Sequence, residues 1–128
     1  MGTRILSVED DERIRTAVRL ALEDEGWTVD EAGTGEEALA RFEQAPTDVV
    51  LIDIMLPDIN GKEVCQRVRS DKTMDDVRII CISGMVEDDK VDELKAAGAN
   101  DFLQKPFDVE TLLEHICRLL DIEVIAAK

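Results

Sequence analysis

This sequence predicts a doubly wound α/β domain: a parallel sheet covered by helices on both faces. Three observations carry that prediction. Five short β-type runs alternate strictly with helical patterns, the order that right-handed crossovers turn into a parallel sheet. Two of the runs, Val49-Val50-Leu51-Ile52 and Ile79-Ile80-Cys81-Ile82, are continuously apolar rather than alternating, which marks strands covered on both faces. The length, 128 residues, suits one domain at roughly 100–200 residues each. Such a chain buries about two thirds of its unfolded surface without help from a disulfide or metal.

The first run, Arg4–Val8, leads into a helix where Ile14, Ala17, Val18, Ala21 and Leu22 recur at three- and four-residue spacing. Gly26 then takes the C′ position. The second run, Thr28–Glu31, is followed by Thr34-Gly35-Glu36-Glu37, a capping box that opens a helix carrying Ala38, Leu39 and Phe42. After the third run, Asp48–Ile52, a helix starts at Gly61 and carries Val64 and Val68. The fourth run, Arg78–Ile82, precedes a helix with Val91 and Leu94 that ends at Gly98. The fifth, Asp101–Leu103, precedes a helix carrying Leu112, Leu113, Ile116, Leu119 and Leu120. The domain is expected over residues 1–121, with 122–128 as a C-terminal tail or linker stub.

Aromatic residues are only 3% of the chain, so Val, Ile, Leu and Ala must build the core. Thirty acids against fifteen bases give a net charge of −15, which repels phosphate backbones and argues against direct nucleic-acid binding. No apolar run approaches the roughly 18 residues of a membrane span, and no signal-peptide pattern opens the chain. The three cysteines, Cys65, Cys81 and Cys117, fall in no metal-binding spacing and read as small core hydrophobes. His115 reads as a surface or half-buried helix residue. Unpaired cysteines point to a reducing compartment, and the expected location is cytoplasmic.

Ligands of an open parallel sheet bind at the carboxyl ends of its strands. Here those ends carry Glu9-Asp10-Asp11, Asp53, Ser83-Gly84 and Lys105-Pro106. No glycine-rich phosphate loop follows the first strand, so a nucleotide site of the usual kind is absent. The carboxylate cluster suits a hard divalent cation instead. Asp53 stands out because an apolar strand runs straight into it; a carboxylate so placed can accept a phosphoryl group as an acyl phosphate. Glu9 and Asp10 would hold the cation, while Ser83 and Lys105 would pair with phosphoryl oxygens.

These residues, with Asp53-Ile54-Met55-Leu56-Pro57, Gly61 and Lys105-Pro106-Phe107, give the chain a close resemblance to the receiver domains of bacterial two-component response regulators, of the chemotaxis-regulator type. The resemblance runs from Arg4 to about Leu120. Each motif is weak alone, but their order and spacing, with Ser83 and Lys105 falling 30 and 52 residues after Asp53, are specific. It implies a flavodoxin-like five-stranded sheet of order 2-1-3-4-5 with five helices. It further implies Asp53 as phosphoacceptor, and Asp10, Asp53, Glu9 and the Met55 backbone carbonyl around Mg²⁺ or Mn²⁺. Ser83 and Phe102 are implied as the switch pair, and Lys105–Pro106 as a cis peptide.

The implied function is a phosphorylation-controlled signalling module rather than a turnover enzyme. Its partners would be a histidine kinase or phosphotransfer protein and a downstream target or fused effector domain. It would act as a monomer or a phosphorylation-dependent dimer, without contacting nucleic acid or membrane. Asn60 replaces the usual Asp before Gly61 but caps a helix equally well. Met55 and Met85 flank the acceptor, and neither thioether can position a hydrolytic water. A haloacid-dehalogenase-type hydrolase would need an acid where Met55 stands. A pseudo-receiver that binds proteins without phosphorylation is the other alternative, and such modules lose pocket residues that are all present here.

Overall fold

The computed structural model describes residues 3–45, 47–70, 77–84 and 88–120; Met85 and the tail 122–128 lie outside them. Helices and strands alternate as β1 (Arg4–Val8), α1 (Glu12–Glu23), β2 (Thr28–Ala32), α2 (Gly35–Gln44), β3 (Val49–Asp53), α3 (Gly61–Ser70), β4 (Arg78–Ser83), α4 (Asp88–Ala97), β5 (Asp101–Gln104) and α5 (Val109–Leu119). The strands pair in the order β2-β1-β3-β4-β5, every pair parallel. Both the fold class and the strand order expected from sequence are present.

Two cores lie on opposite faces of the sheet. Val50, Ile52, Ile79 and Cys81 pack with Ala38 and Phe42 of α2, Val64 and Val68 of α3, and Leu94 of α4. Val49, Leu51, Ile80 and Ile82 pack instead with Val18 and Leu22 of α1 and Leu112 and Ile116 of α5. Neighbouring residues of β3 and β4 thus serve different cores, which is why these strands read as unbroken apolar runs. β3 and β4 each extend one residue beyond the apolar run: Asp53 aligns with Ile82 and Ser83 with Gln104. The two polar residues are therefore held by strand geometry.

Side-chain caps start three of the helices, two of them at the residues the sequence singles out, Thr34 and Asn60. Thr34 accepts from Glu37 N–H (3.1 Å), Asn60 from Glu63 N–H (2.9 Å) and Asp108 from Thr111 N–H (2.8 Å). The box at Thr34 is only half reciprocal, because Glu37 turns back to Gly33 N–H (3.4 Å) rather than to Thr34. At the end of α1 the C-cap is Asp24, so Gly26 (φ 87°) lies one residue beyond the expected C′ position. Asp11 is the N-cap of α1, accepting from Arg13 and Ile14 N–H.

The loop between β3 and α3 is tied to its surroundings at two points. Gly61 N–H donates to Ile54 O (3.0 Å), and a Cβ on Gly61 would stand 2.8 Å from Ile54 Cα; any side chain there would push the loop outward. Across the loop, Asp58 clamps the start of α2, its two oxygens accepting from Gly35 and Glu36 N–H at 2.9 Å each. A carboxylate there also opposes the helix dipole favourably.

That clamp gives a signed pH prediction. The N–H groups of Glu36 and Gly35 hold the Asp58 carboxyl below its usual 3.8. A group with a depressed folded-state pKa contributes stability above its unfolded-state pKa and loses it as pH falls through the folded-state value. Asp58→Ala should therefore lower the urea midpoint at neutral pH, although it removes a negative charge from a chain of net −15. The difference from the parent should narrow below about pH 4. A gap that stays constant through the acid range would show that the carboxylate charge contributes nothing.

Candidate functional site

Parallel register brings four strand ends to one edge of the sheet. Glu9 follows β1, and its N–H donates to Ala32 O at the end of β2 (3.0 Å). Asp53 ends β3, Ser83 ends β4, and Lys105 follows β5 with its N–H on Ser83 O (2.8 Å). Glu9, Asp53 and Ser83 are buried. Lys105 Nζ lies 2.8 Å from Glu9 Oε1 and 2.8 Å from Asp53 Oδ2, so one ammonium bridges two buried carboxylates. Asp53 Oδ1 accepts from Met55 N–H (2.9 Å), and Glu9 Oε2 accepts from Asp11 N–H (3.1 Å).

Burial pushes the Glu9 carboxyl above its usual range, against the pull of hydrogen bonds from Lys105 and Asp11 N–H. For Lys105, burial acts to lower the pKa, but the hydrogen bonds to Asp53 and Glu9 outweigh it and the net shift is upward. The lysine is therefore charged in the pocket. Asp10 is exposed, and carboxylate oxygens of Glu9, Asp10 and Asp53 lie within 4.8 Å of one another. Three carboxylates against one ammonium leave two excess negative charges on an all-oxygen donor set. That donor set and charge fit a hard divalent cation such as Mg²⁺.

The sequence-derived residues take distinct places. Asp11 leaves the pocket to cap α1. Met55 reaches the site through its backbone N–H, while the residue as a whole is 78% exposed. The Lys105–Pro106 peptide is cis. Phe102 is half-buried against the α2–α3–α4 core, and its register partner is Cys81 rather than Ser83; Ser83 is the diagonal neighbour on the same strand face. His115 is half-buried and hydrogen-bonds Asp101 through Nδ1.

Arg15 was not singled out from the sequence. Its guanidinium donates to Glu9 O (2.7 Å) and approaches Glu31 (3.7 Å), so it braces the acidic turn from α1. The one signal for it was its place four residues after the cap Asp11, on the first turn of α1.

Comparison with known proteins fits this geometry. The family "Response regulator receiver domain" matches residues 5–117. The chain belongs to that family. It is 38% identical over 117 residues to the transcriptional regulatory protein TrcR of Mycobacterium tuberculosis, covering 91% of this chain and 45% of that protein. It is 40% identical over 123 residues to the response regulator MprA of Mycobacterium ulcerans, covering 94% and 51%. Among solved structures, the chemotaxis protein CheY4 of Vibrio cholerae superposes with a TM-score of 0.90 at 34% identity, covering 93% of this chain and 99% of that one. The chain thus spans about half the length of the curated relatives it matches and nearly all of a chemotaxis regulator.

In this receiver Lys105 separates two buried acids, so removing it should be costly. Lys105→Met should destabilise the metal-free protein by about 2 kcal/mol, below the 3–5 kcal/mol of a fully buried pair because Lys105 keeps 25% exposure. Adding Glu9→Gln should recover part of that loss, since it removes one of the two uncompensated charges. Urea denaturation checks both; an unchanged midpoint for Lys105→Met would mean that the ammonium does not hold the pocket together.

Proposed function

We propose that this receiver accepts its phosphoryl group on Asp53, from a phosphohistidine on a kinase or phosphotransfer protein. The observation that supports this most directly is the Lys105 ammonium 2.8 Å from both Asp53 and Glu9, beside a three-carboxylate cluster. Asp10, Asp53, Glu9 and the Met55 carbonyl would hold Mg²⁺ (or Mn²⁺). When bound, the cation would neutralise phosphoryl oxygens that three carboxylates would otherwise repel.

The chain's own residues supply the rest. An Asp53 carboxylate oxygen forms the new O–P bond as the donor's P–N bond breaks, and the imidazole leaves with the electron pair. Met55 N–H, already on Asp53 Oδ1, fixes the carboxylate's plane. Lys105 turns from the Asp53 carboxylate to an oxygen of the incoming group, and the Ser83 hydroxyl donates to another. The phosphoryl group carries about −2 at neutral pH, so the charge balance of the pocket changes once it is in place.

Movement of Ser83 toward the phosphoryl group frees space along its strand face, where Cys81 and Phe102 sit side by side. Phe102 turns inward, and the α4–β5–α5 surface presents a different shape to a target. Such a switch is a shift between two populated states, not a turnover reaction. The receiver is a signalling acceptor that catalyses only its own phosphotransfer and slow dephosphorylation.

Beside the pocket, Asp11, Ile14, Ala17, Pro106 and Phe107 line a groove of about 670 Å³, a mostly apolar seat for the donor protein next to Lys105. No helix among the described residues is long and apolar enough to cross a membrane, in keeping with a cytoplasmic site of action. RpaA of Synechocystis, 36% identical, is a DNA-binding regulator of which this chain matches 48%. A chain of net −15 would leave DNA contact to a separate effector segment or a partner.

Acetyl phosphate with Mg²⁺, followed by intact mass, tests the assignment. The parent should gain one hydroxylamine-labile phosphoryl group and Asp53→Asn none. Equal incorporation in Asp53→Asn would move the acceptor elsewhere. A parent that gains nothing under conditions where it binds Mg²⁺ would be a phosphorylation-independent binding module.

A further inference from the structure

We propose that Cys65 and Cys81 are an oxidisable dithiol, a modification site for peroxide-class oxidants, whose disulfide ties α3 to β4 next to Phe102. Their sulfur atoms lie 3.8 Å apart, one on the inner face of α3 and the other in the middle of β4. Both residues are 1% exposed. A disulfide needs about 2.05 Å between sulfurs, so each has to move by about 0.9 Å. Movements of that size lie within what side-chain rotation allows. Cys117 sits on α5, across the sheet from this pair, and cannot compete for either thiol without unfolding.

The two thiols are not equivalent. Either sulfur can donate in the hydrogen bond they share; that bond and the nearby Arg69 charge hold the Cys65 thiol below its usual range despite burial. The same hydrogen bond, together with burial, pushes the Cys81 thiol upward. Cys65 shares α3 with Arg69, whose charge stabilises a thiolate there and not on Cys81, so Cys65 acts as the first nucleophile. Its thiolate attacks one oxygen of hydrogen peroxide, giving a Cys65 sulfenic acid and hydroxide. The Cys81 thiol then attacks that sulfur; the S–S bond forms and water leaves with the thiol proton. The two thiols lose two protons and two electrons, and the peroxide takes up both to become two waters. Because both sulfurs are buried, the rate follows local opening around α3 rather than oxidant encounter.

The register shows where such a bond would be felt. Cys81 aligns with Ile52 on β3 and with Phe102 on β5. Drawing its sulfur toward α3 withdraws it from beside Phe102, on the core face those residues share. Phe107 belongs to the opposite core and is an internal control.

The test treats the reduced, full chain with hydrogen peroxide. It is then unfolded, alkylated with iodoacetamide and mapped by mass spectrometry, with ring resonances of Phe102 and Phe107 followed by NMR. The expected product is monomeric and two hydrogens lighter, with a Cys65–Cys81 cross-linked peptide reversed by dithiothreitol. It should form equally in Cys117→Ala and not in Cys65→Ala or Cys81→Ala, and Phe102 should shift more than Phe107. Recovery of three alkylatable thiols, or a link through Cys117, overturns the dithiol. A Cys65–Cys81 link that leaves Phe102 unshifted overturns the coupling to β5.

Discussion

Lys105 Nζ, 2.8 Å from Glu9 and 2.8 Å from Asp53, is the interaction on which the site depends. Two carboxylates about 5 Å apart repel by roughly 3 kcal/mol at an effective dielectric of 20, and burial makes ionisation of Glu9 costlier still. One ammonium between them offsets much of that while leaving the cluster, with Asp10, two charges short of neutral. The pocket is stable enough to fold and still underneutralised. A divalent cation would bring those charges to neutrality, and a phosphoryl group of about −2 in place of one carboxylate charge would leave the pocket about one charge negative again.

The sheet exists in the form this pocket needs. Parallel strands with two-sided burial deliver Glu9, Asp53, Ser83 and Lys105 to one edge from four separate stretches of chain, and backbone pairing fixes them there. Lys105 N–H on Ser83 O and Ile54 N–H on Ile82 O continue the ladder past the apolar core into the site. The acidic turn after β1 is braced by Arg15, and the loop after β3 by Asp58 and Gly61. A cluster of like charges is held by backbone ladder hydrogen bonds together with the charged side chains of Arg15 and Asp58.

Much of this was legible in the sequence because it rests on local signals. The apolar runs of β3 and β4, the caps Thr34 and Asn60, and the strand-end acids each follow from a few consecutive residues. What escaped was set by tertiary register. Asp58 reads as an ordinary loop acid until α2 is seen to start above it. Arg15 reads as one more charge on the solvent face of α1. Asp11 reads as a fourth pocket acid, yet its side chain accepts from the N–H groups of α1. Cys65 and Cys81, sixteen residues apart, read as unrelated core residues because only helix-on-sheet packing makes them neighbours. Phe102 lies on the predicted strand, and the register adds Cys81 as its direct partner, with Ser83 the diagonal neighbour on the same face.

The central claim, that the pocket is an underneutralised carboxylate cluster poised for a divalent cation, is tested most directly by thermal melting under a Mg²⁺ titration. The account predicts a saturable rise in the parent's melting temperature, corresponding to about 2.7 kcal/mol at a hundredfold excess over Kd. Asp10→Asn should melt higher than the parent without metal and respond less to Mg²⁺. A parent whose melting temperature does not change with Mg²⁺, or an Asp10→Asn protein that responds identically, would contradict it.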